Sequence, residues 1–231
     1  MKGSEAGFGL IELMVALGLG LLLIAGAAQI FVSARETYLA QQSSAMAQED
    51  ARFVLSKMAQ EIRMVGMFGC QAHEHIIDAP SVFQTPIAWQ GMAGSRSWRF
   101  ISADVGRTAG KPDWTVVSDC KRHARAYPGQ FEGLTPDQTA FAVRQIVYWF
   151  EHGQLKVGAG RAVLLDNVAD FDISFGLAGS PAGQTVKRYE ASPNQLAGIR
   201  SVRLSLTLRD PRARVKDQTY HMVVALRNRL G

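Results

Sequence analysis

Between Phe8 and Val32 the chain runs for twenty-five residues with one charged side chain, Glu12, and one strongly polar one, Gln29. As a helix rising about 1.5 Å per residue, this run covers a ~30 Å hydrocarbon core with a little to spare. A carboxylate inside such a segment is unfavourable by a few kcal/mol or more, so Glu12 needs a function and a partner. The nearest candidate partner is the amine that a cut before Phe8 would expose. Two other readings of the run stay open. In one it is a secretory signal with Ala25-Gly26-Ala27 as its small-residue exit, although it is longer than an ordinary signal core and carries an acid. In the other it is a plain single-pass anchor.

Beyond Val32 the helical pattern continues. Residues 33 to 65 contain no Pro or Gly and are mostly good helix formers. Apolar positions are sparse at Leu39 and Met46, then thicken into Phe53, Val54, Met58, Ile62 and Val65, spaced by three or four. Gly66 and Gly69 form the stop signal. A continuous helix from Phe8 to Val65 would be about 87 Å long. Its membrane half is rich in small residues (Ala16, Gly18, Gly20, Ala25, Gly26, Ala27, Ala28), which let helices approach closely in lipid. It has no proline, so any kink would come from the glycines.

The remaining sequence is globular in composition, with 47% apolar and 19% charged residues overall. Residues 67–140 carry five prolines and many glycines, and read as an irregular region with two short strands, Trp98–Ser102 and Trp114–Ser118. Residues 141–231 read as an antiparallel sheet with one wet face. Arg144–Glu151 and Gln154–Val157 flank a His152-Gly153 turn, and Ala162–Leu165 and Asp170–Leu177 follow. Ile199–Arg209 alternates cleanly, with Val202, Leu204, Leu206 and Leu208 on one face. Thr219–Arg227 ends the pattern. The obvious cover for the apolar face is the Phe53–Val65 stripe, so the fold class is α+β.

Net charge is +5, yet residues 199–231 hold eight basic residues against Asp210 and Asp217. The loop carrying Arg212, Arg214 and Lys216 is a candidate contact for an acidic partner. No aromatics interleave these arginines, which disfavours nucleic acid. His73-Glu74-His75 would need a third ligand to hold a metal, and none is placed by spacing. Nucleotide-binding and hydrolase motifs are absent, and the sequence reads as neither an enzyme nor a cofactor protein. With Lys2 holding the N-terminus in the cytoplasm, everything after Val32 would lie in the periplasm. There Cys70 and Cys120 can form a disulfide, which would stabilise the fold by about 4 kcal/mol in the chain-entropy picture. Two buried free thiols are the alternative.

The leader with Lys2, ending at Gly7 before Phe8, with Glu12 at the fifth position after the break, resembles the class III signal of type IV prepilins. The resemblance implies cleavage between Gly7 and Phe8 by a prepilin peptidase, N-methylation of Phe8, and a role for Glu12 in pairing with a neighbour's N-terminal amine during assembly. It also implies a leader (1–7), a transmembrane half-helix (8–32), a periplasmic amphipathic half (33–66) and a globular head (67–231). Within that group the chain is similar to PilW-type minor pilins. Asp50-Ala51-Arg52-Phe53, Glu61-Ile62-Arg63, Gly66, Gly69-Cys70, Leu165-Asp166-Asn167-Val168 and Ala225-Leu226-Arg227-Asn228 carry that similarity. It implies a structural subunit that primes pilus assembly at the tip. Its partners would be other minor pilins, the major pilin, the inner-membrane assembly platform and a tip adhesin. A pseudopilin of type II secretion shares the N-terminal signal, and a membrane-anchored or exported binding domain with a basic ligand face is the reading from another class.

Overall fold

The computed structural model describes residues 7, 9–92, 94–104, 110–180, 183–228 and 230. One helix, α1 (Leu10–Arg63), is followed by twelve strands. These are β1 (Ile76–Ile77), β2 (Ile87–Met92), β3 (Ser95–Ala103), β4 (Trp114–Ser118), β5 (Ala124–Pro128), β6 (Thr139–Glu151), β7 (Gln154–Val157), β8 (Ala162–Leu165), β9 (Val168–Ala178), β10 (Val186–Glu190), β11 (Ile199–Leu208) and β12 (Gln218–Ala225). The architecture is α+β, as expected.

The helix is unbroken for 54 residues. It ends where Gly66 adopts φ +77° and donates its N–H to the Ile101 carbonyl at 3.1 Å. A Cβ at Gly66 would lie 2.8 Å from Leu230, so both the backbone angle and the close approach require glycine there. Two further hydrogen bonds fasten this end to the last strand's continuation. The Arg227 N–H donates to the Arg63 carbonyl, and the Asn228 side chain to the Val65 carbonyl, each at 3.3 Å.

The strands form two sheets rather than one. The first has eight strands, ordered β1-β5-β4-β6-β3-β2, with β7 and β8 extending it beyond β6. The second is antiparallel, ordered β10-β9-β11-β12. The expected division at residue 140 is therefore not structural. β6 is the shared centre of the first sheet. It pairs its first half with β4, its second half with β3, and its last four residues with β7. The region 67–140, expected to be irregular, supplies five of that sheet's strands. β3 and β4 bury residues of both faces, which removes the alternation that marks a half-wet strand. In β3, Trp98 and Phe100 enter the main core while Ile101 and Ala103 enter a second cluster on the opposite face. Phe68 and Phe83, whose rings stack 4.0 Å apart, belong to that second cluster.

The main core lies between the two sheets and the lower helix. Trp98 meets Phe171 edge-on at 5.2 Å across the sheets. β11 presents Val202, Leu204, Leu206 and Leu208 inward as its alternation predicts. His152 and Gly153, with φ +52° and +71°, make the tight turn between β6 and β7. From the helix, Ala51, Val54, Leu55, Met58, Ala59 and Ile62 are buried at helical spacing. Phe53 is not among them. It is 62% exposed, because it projects about 100° round the helix from Val54. Replacing Met58, which is fully buried, with Ala should lower the unfolding free energy by about 2–5 kcal/mol. Phe53→Ala should change it by less than about 0.5 kcal/mol. Urea unfolding of the full chain in detergent micelles measures both, and equal losses would contradict this assignment of the buried face.

Candidate functional site

The helix start is exposed on all sides. Gly9 is its N-cap, extended and without a side-chain cap, and Glu12 is the third helical residue. The first N–H groups of a helix lack intrahelical acceptors, and the end carries about half a positive charge. A carboxylate in this turn is favourable there even before any external partner arrives. Its neighbours Leu10, Ile11, Leu13 and Met14 are all more than half exposed. The most apolar eighteen residues of the helix have a mean hydropathy of 2.4, and the head buries none of them. Gly7 is exposed. Phe8 and the leader residues 1–6 lie outside the described residues.

At the opposite end of the molecule Cys70 and Cys120 are bonded, with Cα atoms 5.4 Å apart. Ala103, whose N–H donates to the Met67 carbonyl, lies level with the helix end, and β4 carries the chain farther in the same direction. The β4–β5 turn holding Cys120 thus lies beyond the helix end, away from the apolar half-helix. Asp119 shapes this turn, accepting the N–H groups of Lys121, Arg122 and His123 at 2.9 Å each. Those bonds hold its carboxyl well below the usual range. His73–His75 forms a single 3-10 turn beside it, not a strand, so the two imidazoles do not gain a shared sheet face.

The basic loop divides. Arg212 and Lys216 are exposed, but Arg214 turns inward. Its Nε donates to Asp210 at 3.1 Å, and its Nη2 to Asp210 at 3.2 Å and to the Ser43 hydroxyl at 3.1 Å. Asp210 also accepts the N–H groups of Arg212 and Arg214. Gln218 donates to Ser44 at 2.8 Å. Arg214 is therefore a latch between the β11–β12 loop and the helix, which corrects its assignment to a partner-facing surface.

Residues 2–28 match the family model of the prokaryotic N-terminal methylation motif. The chain carries an N-terminal methylation motif. The match supports a type IV pilin or pseudopilin, and implies processing by a prepilin peptidase and anchoring in the membrane. No curated protein and no solved structure matches the chain.

Two polar anchors of the pilin-like head have no sequence signal as functional sites. The buried Tyr148 phenol donates to Glu61, whose other oxygen takes Lys57 Nζ at 2.5 Å. Burial, together with the Glu61 charge, raises the phenol far above its ordinary range. Ser43 and Asp210 form the second anchor, and their partnership spans too much sequence to be read from it. A buried acid four residues before an arginine in a loop is the only local hint. The Arg214 guanidinium, then the Arg214 and Arg212 N–H groups, hold the Asp210 carboxyl well below the ordinary range. Its contribution to stability is therefore full above about pH 4, the ordinary aspartate value, and is lost as pH falls below it. Urea midpoints of the full chain in micelles should fall more steeply between about pH 6 and about pH 3 than those of Asp210→Asn. Parallel profiles would contradict the latch.

Proposed function

We propose that this chain is a minor pilin of the PilW type. It is a structural subunit, a substrate of the prepilin peptidase rather than a catalyst, inserted as a single-pass prepilin with its head in the periplasm. It then joins other minor pilins in a complex that primes pilus assembly and sits at the filament tip. One observation carries the reading: a methylation motif opens a 54-residue helix whose apolar half touches nothing in its own head. A Cβ at Gly18, Gly20 or Gly26 would meet nothing within 4 Å in the chain itself. The smallness of that surface is thus not demanded by this fold, and it suits close packing against other helices. Three of the six PilW-like segments also meet in space. Arg63, Gly66, Arg227 and Asn228 together lock the helix end to the chain that follows β12.

The mechanism follows from charge and medium. In the bilayer Glu12 is a lone carboxylate near the helix N-terminus. An amine about 4 Å away contributes about 4 kcal/mol at an effective dielectric of 20, against about 1 in water, enough to offset its cost in lipid. A neighbouring subunit's processed N-terminus supplies that amine, so the pair favours entry into a helical bundle over remaining alone. In the β11–β12 loop Arg212 and Lys216 are exposed and meet an acidic neighbour, and the major pilin, the assembly platform and a tip adhesin complete the set of partners.

Glu12→Ala should be processed normally but fall at least several-fold in sheared filaments relative to membranes, measured by immunoblot of the two fractions. Wild-type incorporation would contradict the pairing mechanism. The pseudopilin reading shares the N-terminal motif and is separated by deletion of the gene. Loss of surface pili and twitching supports the minor pilin, whereas loss of exoprotein release with normal pili would make the chain a type II secretion subunit.

A further inference from the structure

On the face of the eight-stranded sheet that points away from the helix, β3 and β6 set Ser97 opposite Trp149 and Arg99 opposite Val147. β2 sets Gln90 opposite Ser97 and Ala88 opposite Arg99. Directly opposed residues share a face, and diagonal neighbours are within reach of long side chains. Small side chains at Ala88, Ser97 and Val147 are therefore ringed by tall ones at Gln90, Arg99, Gln145 and Trp149. The result is a pocket of about 240 Å³. The segment that covers this face farther along stops at the pocket's rim, where Arg99 Nη2 donates to the Thr85 carbonyl at 3.3 Å.

Two donors on residues lining this pocket, Arg99 Nε and Trp149 Nε1, are buried and have no acceptor among the described residues. An unmet buried N–H is costly, and an incoming acceptor removes that cost. Among the described residues no carboxylate lines the pocket. Of the acids nearby, Glu151 is occupied by Lys156 and Arg161, each at 3.1 Å, and Asp113 accepts the Gln145 backbone N–H at 2.8 Å. The Arg161 guanidinium lies 4.1 Å from the Trp149 ring centroid. The pocket thus offers the Arg99 guanidinium and two unmet donors, bordered by the amides of Gln90 and Gln145 and the Ser97 hydroxyl.

We propose that this pocket binds a hydroxyl-rich carboxylic acid of monosaccharide size. Its carboxylate is received by Arg99 and Trp149, and its hydroxyls by Gln90, Gln145 and Ser97. A charged guanidinium and an indole N–H favour an anionic acceptor over a neutral one. The volume is below that of sites for drug-sized ligands and matches a single ring. The site goes beyond the filament-subunit reading and does not depend on which machine the chain serves.

The test is a titration of the full chain in detergent micelles, labelled with ¹⁵N-tryptophan. The four tryptophans give four indole signals, and Trp149→Phe assigns the relevant one. Sodium glucuronate should move the Trp149 indole N–H saturably and leave the other three in place. Glucose, glutarate and sodium chloride at matched ionic strength serve as controls. Arg99→Gln should raise the Kd about tenfold or more. Gln90→Ala, at an exposed rim position, tests the hydroxyl contacts without touching buried structure. No saturable shift with glucuronate, or an equal shift with chloride, would overturn the site. Equal affinity for glutarate would overturn its specificity for a sugar acid.

Discussion

Fourteen large apolar side chains between Leu10 and Val32 are more than half exposed in the isolated chain. At roughly 1.5–3 kcal/mol for each such side chain removed from water, leaving them wet is unfavourable by tens of kcal/mol. Nothing in the head can cover them, because the helix is unbroken and carries them away from both sheets. They require a bilayer or a bundle of other helices. The rest of the structure is consistent with a chain that exchanges one for the other. The small residues of this segment keep a surface that its own fold leaves open. Glu12 stands where the helix dipole favours a carboxylate, and is the one charged residue between Leu10 and Val32.

The lower half of the same helix is built for permanence. Its buried face runs from Ala51 to Val65 into a core shared by both sheets, so the helix and head move as one body. Polar ties hold both ends of that contact. Arg214 and Gln218 reach Ser43 and Ser44 near the membrane side, while Arg227 and Asn228 reach the last helical carbonyls at the far side. Between them Glu61 takes the Tyr148 phenol, tying the helix to the first sheet where the other ties join it to the second. Breaking the Arg214 or Tyr148 tie leaves a buried polar group short of a partner, which costs more than the bond contributes.

Much of this was legible in the residues. The apolar run, the single acid within it, the glycine stop at Gly66, the His152-Gly153 turn and the alternation of β11 each follow from a local rule. What was hidden depends on partners far away in sequence. β3 shows little alternation because its far end enters clusters on both faces, and β6 begins five residues before the strand read at Arg144–Glu151 because it serves three neighbours. Phe53 suits a core by chemistry and is turned outward by its position on the helix. Arg214 looks like surface charge until Ser43, 171 residues away, and Asp210 are seen beside it. The Arg99–Trp149 pocket was equally unreadable, since only the register of β2, β3 and β6 brings its walls together.

The central claim is that the apolar half-helix is a processed pilin stem rather than a simple anchor or an export signal. The mass of the N-terminal peptide, from protein purified out of its own host's membranes, tests it most directly. A peptide beginning at N-methylated Phe8 is the predicted result. A start at Met1, or near Ala28, would contradict it and remove the basis for the role of Glu12.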